Sequence, residues 1–268
     1  MTTGSMPQFD SERRRRDERA LDAPPQRPVV APAAEPKRPA PAPVLDDRLV
    51  PFLDPTSPIA EQYRALRTNL LALRAKGRAM KTVAITSARR GDGKTITSAN
   101  VAAIFAEDQA VRVVLVDADL RAPGVSPLLG HGDLSSAGLT GYLRDGVAIE
   151  DVIVKTPIRN LDLVPAGSPL DNPTELLASK RFRELVDRLS LEYDFVFFDT
   201  PPVLAVTDAA ILGARIDGMI FVVKMNDSEK DAVDRSLEAL KNAGAQVIGA
   251  VLTNFRASED AYASRQRK

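Results

Sequence analysis

The stretch SARRGDGKT, Ser87 to Thr95, separates an apolar run, TVAI, from a segment compatible with a helix, ITSANVAAIFAE. That order predicts strand, glycine-bearing loop, helix. Such a loop can wrap a phosphate chain in backbone N–H groups, with the helix start behind it. Lys94 is placed to reach the β- and γ-phosphates of a nucleotide, and the Thr95 hydroxyl to sit on Mg²⁺. Arg89, Arg90, Gly91, Asp92 and Gly93 form the loop itself. Thr95 and Ile96 complete the cofactor-binding set at the helix start. The usual pattern opens on glycine, and this one opens on Ala88. An ordinary glycine-rich turn is the alternative reading.

Two apolar runs that end in aspartate weigh against that alternative. RVVLVDADLRAP, Arg112 to Pro123, reads as a buried parallel strand with Asp117, Asp119 and Arg121 at its C-terminal mouth. DFVFFDTPP, Asp194 to Pro202, reads as a second, ending at Asp199. Parallel α/β sheets bind ligands outside the carboxyl ends of their strands. The three loops are therefore expected to converge on one edge. A magnesium–nucleotide site needs anionic phosphates, a hard cation and carboxylates to hold the cation or its waters. Aspartate is common in turns after strands, but three such loops beside a phosphate-binding loop are harder to dismiss.

With 268 residues and 44% apolar content, the chain can bury a sizeable core. It holds no cysteine, which excludes disulfides, thiolate ligands and cysteine nucleophiles and suits a reducing compartment. The single histidine, His131, sits in a loop sequence, LLGHGDL, and reads as surface or structural. Basic and acidic residues number 36 each, so net charge gives no reason to expect a nucleic-acid partner. No apolar run is long enough to span a bilayer, and the first residues do not resemble a signal peptide. The chain is expected to be cytoplasmic, reaching the inner face of a membrane through a partner.

Residues 1–50 differ in composition. A basic run, Arg13 to Arg16, precedes DAPPQRPVVAPAAEPKRPAPAPV, which is dense in proline and alanine. That stretch lacks the apolar surface to offset chain ordering and is expected to be a disordered arm. Order is expected from near Thr56. Ser57 is a helix cap with Pro58 in the first turn, and Ile59, Tyr63, Leu66, Leu70 and Leu73 form an apolar stripe. Glu61, Arg64 and Arg67 fall on an adjoining face. They read either as solvent-facing charge with intrahelical pairing or as an oligomer interface between carboxylates and guanidiniums.

Beyond the phosphate loop, strands and helices alternate. The fold expected is α/β, a P-loop NTPase with a mainly parallel central sheet and helices on both faces, covering residues 51–255. Leu139 to Asp145 reads as a helical turn and Leu161 to Gly167 as an edge-like strand. NPTELLASKRFRELVDRLSLEY reads as one long amphipathic helix with Asn172 as cap. Met219 to Met225 and Val247 to Phe255 are the last strands, with a capped surface helix between them. Phe195, Phe197 and Phe198 read as core. Residues 256–268 form a short tail.

From EQYRALRTNL at Glu61 to TNF at Thr253, the chain resembles the bacterial tyrosine kinases of the capsular and exopolysaccharide type. These lie within the deviant phosphate-loop ATPases that include chromosome- and septum-positioning proteins. GDGKT, DADLR, GLTGYL, VPAG with NPTELL, and FFDTPPVLAVTDAAIL carry the resemblance in order. It implies ATP and Mg²⁺ as cofactors. It implies that Lys94 and Thr95 bind triphosphate and metal, that Asp117 and Asp119 are metal and catalytic elements, and that Asp199 supports the metal. Glu61, Arg64 and Arg67 match the helix that closes kinase subunits into a ring. Asn254 matches the region that receives the base. A membrane protein of the polysaccharide chain-length, or co-polymerase, family is the implied partner, supplying an activating cytosolic tail.

The departures from the family bear on activity. Arg89 stands where the positioning ATPases have lysine, and Arg90 where the kinases usually have proline. The family's tail clusters tyrosines, whereas FRASEDAYASRQRK has only Tyr262. One acceptor cannot give a graded, many-phosphate switch. The expected activity is tyrosine autophosphorylation with Tyr262 as acceptor, and the competing readings are an ATPase scaffold and a nucleotide-binding interaction module.

Overall fold

A computed structural model describes Met1 and residues 44–132 and 138–254. The arm with Arg13 to Arg16, Phe255 and the tail with Tyr262 lie outside the described residues. Apart from Met1, the described residues belong to one compact unit.

The first elements are α1 (Val50–Leu53), α2 (Pro58–Ala75), β1 (Thr82–Ser87) and α3 (Lys94–Ala106). Then come β2 (Val113–Asp117), α4 (Val125–Leu128), a π-helical turn (Gly141–Asp145), α5 (Ile149–Val152), β3 (Val154–Lys155) and β4 (Leu161–Val164). The chain continues through α6 (Thr174–Ala178), α7 (Lys180–Glu192), β5 (Phe195–Asp199), α8 (Asp208–Gly213), β6 (Gly218–Lys224), α9 (Lys230–Asn242) and β7 (Val247–Thr253). The sheet has seven strands in the order β3-β4-β2-β5-β1-β6-β7. Every pairing is parallel except β3 with β4.

Strand alternation divides the core between the two faces of the sheet. Val83, Ile85, Val113, Leu115, Phe195, Phe197, Ile220 and Val222 pack with α3. Ala84, Val114, Val116, Val196, Phe198, Met219 and Phe221 pack with α7 and α8 on the other side. The phenylalanines of β5 follow the same rule. Phe195 and Phe197 lie 4.5 and 5.1 Å from the Phe105 ring of α3, and Phe198 lies 6.1 Å from Phe182 of α7. Burial of both faces explains why these strands read as unbroken apolar runs.

Ser57 caps α2 as expected, its hydroxyl accepting from Ala60 N at 3.1 Å. Four readings need correction. Packing begins before Thr56, since Leu49 is buried and α1 precedes Ser57. The long helix is two helices, α6 and α7. Ser179 is extended between them, and its hydroxyl accepts from Phe182 N at 3.2 Å, so it starts a new helix. β4 is not at the edge: β3 pairs with its outer side. Finally, α9 has no side-chain cap, Glu229 holding the cap position without that bond. His131 closes a turn, its N–H donating to Ser126 O at 3.0 Å.

Candidate nucleotide site

Strand order assembles the site. β5 lies between β2 and β1, so the loops after β1, β2 and β5 are neighbours at one end of the sheet. Register refines this: Asp199 is the partner of Asp117 on one side and of Ile85 on the other. All three segments singled out in the sequence therefore meet at the carboxyl ends of adjacent strands.

The loop turns sharply at two glycines, Gly91 (φ 92°) and Gly93 (φ 97°), a backbone conformation that side chains disfavour. A Cβ on Gly93 would also lie 3.2 Å from Thr253 Cγ2. Asp92 ties the loop down. Its carboxylate accepts from Arg89 N at 2.9 Å and from the Ser228 hydroxyl at 3.1 Å, and its carbonyl accepts from the Thr253 hydroxyl at 2.7 Å. Arg89 forms a two-point pair with Glu229, at 2.9 and 3.0 Å. Arg90 is exposed, with no partner among the described residues. Ile96 packs against the core on the α3 side. Asn254 follows Thr253 in a left-handed conformation (φ 55°) and donates to Met225 O at 3.3 Å, which keeps it beside the loop anchor.

Behind the loop lies a buried cluster of charge. Lys94 Nζ donates to Asp119 Oδ2 at 2.9 Å and lies 3.6 Å from Asp199 Oδ2. The Thr95 hydroxyl donates to Asp199 Oδ2 at 2.8 Å, and the Ser98 hydroxyl to Asp199 Oδ1 at 2.9 Å. Asp117 accepts from Gly124 N at 3.1 Å, Val125 N at 3.0 Å and Asp119 N at 3.3 Å. Burial, then the Asp199 charge, pushes the Asp117 carboxyl up to about 7. Burial likewise raises Asp199, against the opposing pull of Lys94. Lys94 pays a desolvation cost, but Asp199 and Asp119 outweigh it and hold the ammonium above its ordinary value.

The donor set suits a hard cation held together with phosphate. It offers Thr95 hydroxyl oxygen and carboxylate oxygens that burial and mutual repulsion have raised. Among the described residues no three acidic or imidazole side chains gather closely enough to cage a metal unaided. That fits Mg²⁺, which is typically held by one or two carboxylates plus substrate phosphates.

A further network clasps the loop after β2. Arg121 Nε donates to the buried Asp208 at 2.8 Å, Nη2 to the Thr174 hydroxyl at 3.2 Å, and Nη1 to Asp171 O. The Thr174 hydroxyl donates to Asp208 at 2.6 Å. The sequence reading missed Ser98, Ser228, Thr253, Thr174 and Asp208 as participants. Ser98 had a signal, being one helical turn beyond Lys94 and so on the same face. Asp208 and Thr174 sat unremarked inside quoted motifs. Thr253 was likewise quoted without a role, and Ser228 gave no signal, because it meets Asp92 only through the turn after β6.

Glu61, Arg64 and Arg67 do not meet this cluster. Arg64 bonds Glu107 at 3.0 Å and Pro55 O at 2.8 Å, and lies 3.4 Å from Glu61. Arg67 donates to Ile104 O at 2.7 Å and lies 3.5 Å from Glu107. Both guanidiniums thus serve the C-terminal end of α3, where cations are favoured.

These features define a P-loop nucleotide-binding protein. An AAA domain model matches residues 80–247. The tyrosine-protein kinase YwqD of Bacillus subtilis is 38% identical over 80% of this chain and 89% of its own length. Among solved structures, the chimerical protein CapA2B2 superposes with a TM-score of 0.74 at 32% identity, covering 79% of this chain and 92% of that one. The kinase domain of the Escherichia coli tyrosine kinase ETK gives 0.74 at 30%, over 81% and 83%. The chain belongs to the bacterial tyrosine-protein kinases, a branch of the P-loop ATPases that are related in fold to the septum-site protein MinD.

Proposed function

We propose that the protein is an ATP-dependent tyrosine autokinase that regulates capsular or exopolysaccharide synthesis and export. The observation that carries the reading is the convergence of Lys94, Asp119, Asp199 and Thr95 on one buried point behind the phosphate loop. The kinase domain begins before residue 51, since Leu49 is buried in its core and Asp46 N donates to Leu128 O at 3.1 Å, and residues 256–268 make the tail.

Lys94 and the loop N–H groups hold the triphosphate and stabilise charge on the transferring phosphoryl group. Thr95, Asp199 and Asp117 would hold Mg²⁺, which would supply charge neutralisation of the phosphates. Asp117 orients the tyrosine hydroxyl and takes its proton. Asp119 assists beside Lys94. The bond from the γ-phosphorus to its bridging oxygen breaks, a bond to the tyrosine oxygen forms, and ADP leaves. Asn254 adjoins the base, and Arg89 to Ile96 line the phosphates.

Two of the described tyrosines are poor acceptors as they stand. Tyr142 and Tyr193 are buried, and the Tyr193 hydroxyl donates to Asp162 at 2.7 Å. Burial also raises the Tyr63 hydroxyl, which faces Thr97 and Asn100. Tyr262 is the proposed acceptor, reached in trans within a ring joined through Glu61, Arg64 and Arg67. The scarcity of accessible tyrosines favours one second reading, an ATPase scaffold whose nucleotide state controls assembly. Among the described residues no helix is long and apolar enough to cross a membrane. Recruitment to the inner face of the cell membrane is assigned to a polysaccharide co-polymerase whose cytosolic tail activates the kinase. Incubation with labelled ATP and that tail, with phosphotyrosine and free phosphate measured separately, tests the reading. Phosphate release with no phosphotyrosine would overturn it in favour of the scaffold.

A further inference from the structure

A groove of about 530 Å³ opens at the end of the sheet opposite the phosphate loop. It is framed by Arg112 just before β2, Leu161 at the start of β4 and Tyr193 just before β5, with β3 and the turn after it on the outer side. The volume falls within the ~300–1,000 Å³ of small-ligand clefts.

Its charges are unevenly matched. Asp162 is satisfied twice, by Lys155 Nζ at 2.8 Å and the Tyr193 hydroxyl at 2.7 Å. Glu192 is paired with Arg188. The nearby Asp194 carboxylate is taken by the backbone N–H of Arg112 at 2.8 Å. Arg112 and Arg159 are exposed and have no carboxylate within ion-pair distance among the described residues. The Arg112 guanidinium sits 6.0 Å above the Tyr193 ring, which fixes its place at the rim. Arg159 is followed by Asn160 in a left-handed turn (φ 64°), whose carbonyl accepts from Val113 N at 2.9 Å and anchors the turn to β2.

Two unpaired guanidiniums over a partly apolar floor suit a phosphoryl dianion carried on an apolar body. We propose that this groove binds the phosphorylated tail of another copy of the chain, with phosphate on Tyr262 held by Arg112 and Arg159. The proposal rests on the autokinase reading for the origin of the phosphate. Glu259 and Asp260, three and two residues before Tyr262, add negative charge that complements Arg112 and Arg159.

Reach favours a tail from another copy. Tyr262 lies eight residue steps beyond Asn254, a backbone span of at most ~29 Å. β7 and the groove lie at opposite ends of the strands and four to five strands apart, a straight line of roughly 25–29 Å through the core. A path around the surface is longer. Capture in trans withdraws a phosphorylated tail from the catalytic end of its neighbour, so a single acceptor can still act as a switch.

The test uses the dephosphorylated full-length chain with its phosphate loop saturated by Mg–ADP. A labelled peptide of residues 256–268, with or without phosphate on Tyr262, is titrated by fluorescence anisotropy. The phosphopeptide is expected to bind at least ~10-fold more tightly than the unmodified peptide, each tenfold being one decade in Kd. Arg112→Ala with Arg159→Ala is expected to remove that preference while ATP hydrolysis is retained. Equal binding of the two peptides, no saturation by ~1 mM, or an unchanged preference in the double variant would each overturn the proposal. The peptide is synthetic, so failure of the kinase reading appears separately, as absence of phosphotyrosine after incubation with ATP.

Discussion

Asp117→Asn is expected to make the nucleotide-free protein more stable at alkaline pH while abolishing its activity. The Asp117 carboxylate is fully buried and register-paired with the equally buried Asp199. Its carboxyl sits at about 7, against an ordinary 3.8. Below about pH 4 the folded and unfolded chains both carry the proton, and the group makes no difference. Between about 4 and 7 the unfolded chain releases it and the folded chain keeps it, so stability falls as pH rises. Above about 7 the whole cost is present, and the gap corresponds to ~4 kcal/mol at most.

Asparagine resembles the protonated acid and escapes that cost. Its carbonyl oxygen can still accept from Gly124 and Val125, but its NH₂ would face the Asp119 N–H that now donates to Asp117. Losing that bond costs about 1 kcal/mol. The net gain is ~1–3 kcal/mol at about pH 8, or roughly 2–10 °C in Tm for a chain of this size. At about pH 5 the charge cost is only about 1.6 kcal/mol, and the gain should shrink to under about 1 kcal/mol. Thermal unfolding by circular dichroism at both pH values, with chelator and without nucleotide, measures it. A lower Tm for the variant at about pH 8, or the same difference at both pH values, would refute buried-charge strain at this position.

Lys94→Met should abolish ATP turnover and phosphotyrosine formation. It should also cost about 3 kcal/mol of stability by leaving Asp119 and Asp199 without their cation, a loss read by denaturant titration that shrinks at acid pH as Asp199, raised by burial, takes up a proton. Arg64→Glu with Arg67→Glu should dissociate the assembly on light scattering and lower stability by only about 1 kcal/mol, because the guanidiniums are partly exposed. Retention of the full mass would remove these residues from the interface. Asp208→Asn should cost about 2 kcal/mol by weakening the buried partner of Arg121, and should lower kcat more than it raises KM. Unchanged kcat would show that the clasp on the Asp119 loop does not position the site.

The site was legible where one short segment carries its own chemistry. GDGKT demands a left-handed turn at two glycines, and the strands ending at Asp117 and Asp199 show themselves as apolar runs stopped by a carboxylate. Features that depend on packing between distant segments were not legible. LLASKRFREL keeps helical periodicity through Ser179 with neither glycine nor proline, so only a serine able to cap a new helix marks the break between α6 and α7. A two-residue strand such as β3 is too short to show alternation, and without it β4 looks like an edge. Arg64 and Arg67 looked free because their acceptors, Glu107 and the Ile104 carbonyl, are about forty residues away on α3.

The charges behind the loop explain why these residue types occupy this cluster in the free protein. Asp119 and Asp199 would repel strongly in a buried site, and Lys94 sits between them as the compensating cation. The same ammonium is the group that triphosphate requires. Lys94 therefore cannot turn to the phosphates without leaving two buried carboxylates uncompensated, and those carboxylates can release it only to another cation. Thr95 already touches Asp199 Oδ2, so a hydroxyl oxygen and a carboxylate oxygen share the point where that cation would be received. Nucleotide and divalent cation should consequently bind with positive coupling, each completing the charge balance that the other disturbs. Ser98 holds the far oxygen of Asp199 from the helix face below. It keeps the carboxylate aimed at the loop while its cationic partner changes, which gives a purpose to a residue that the motif alone does not explain.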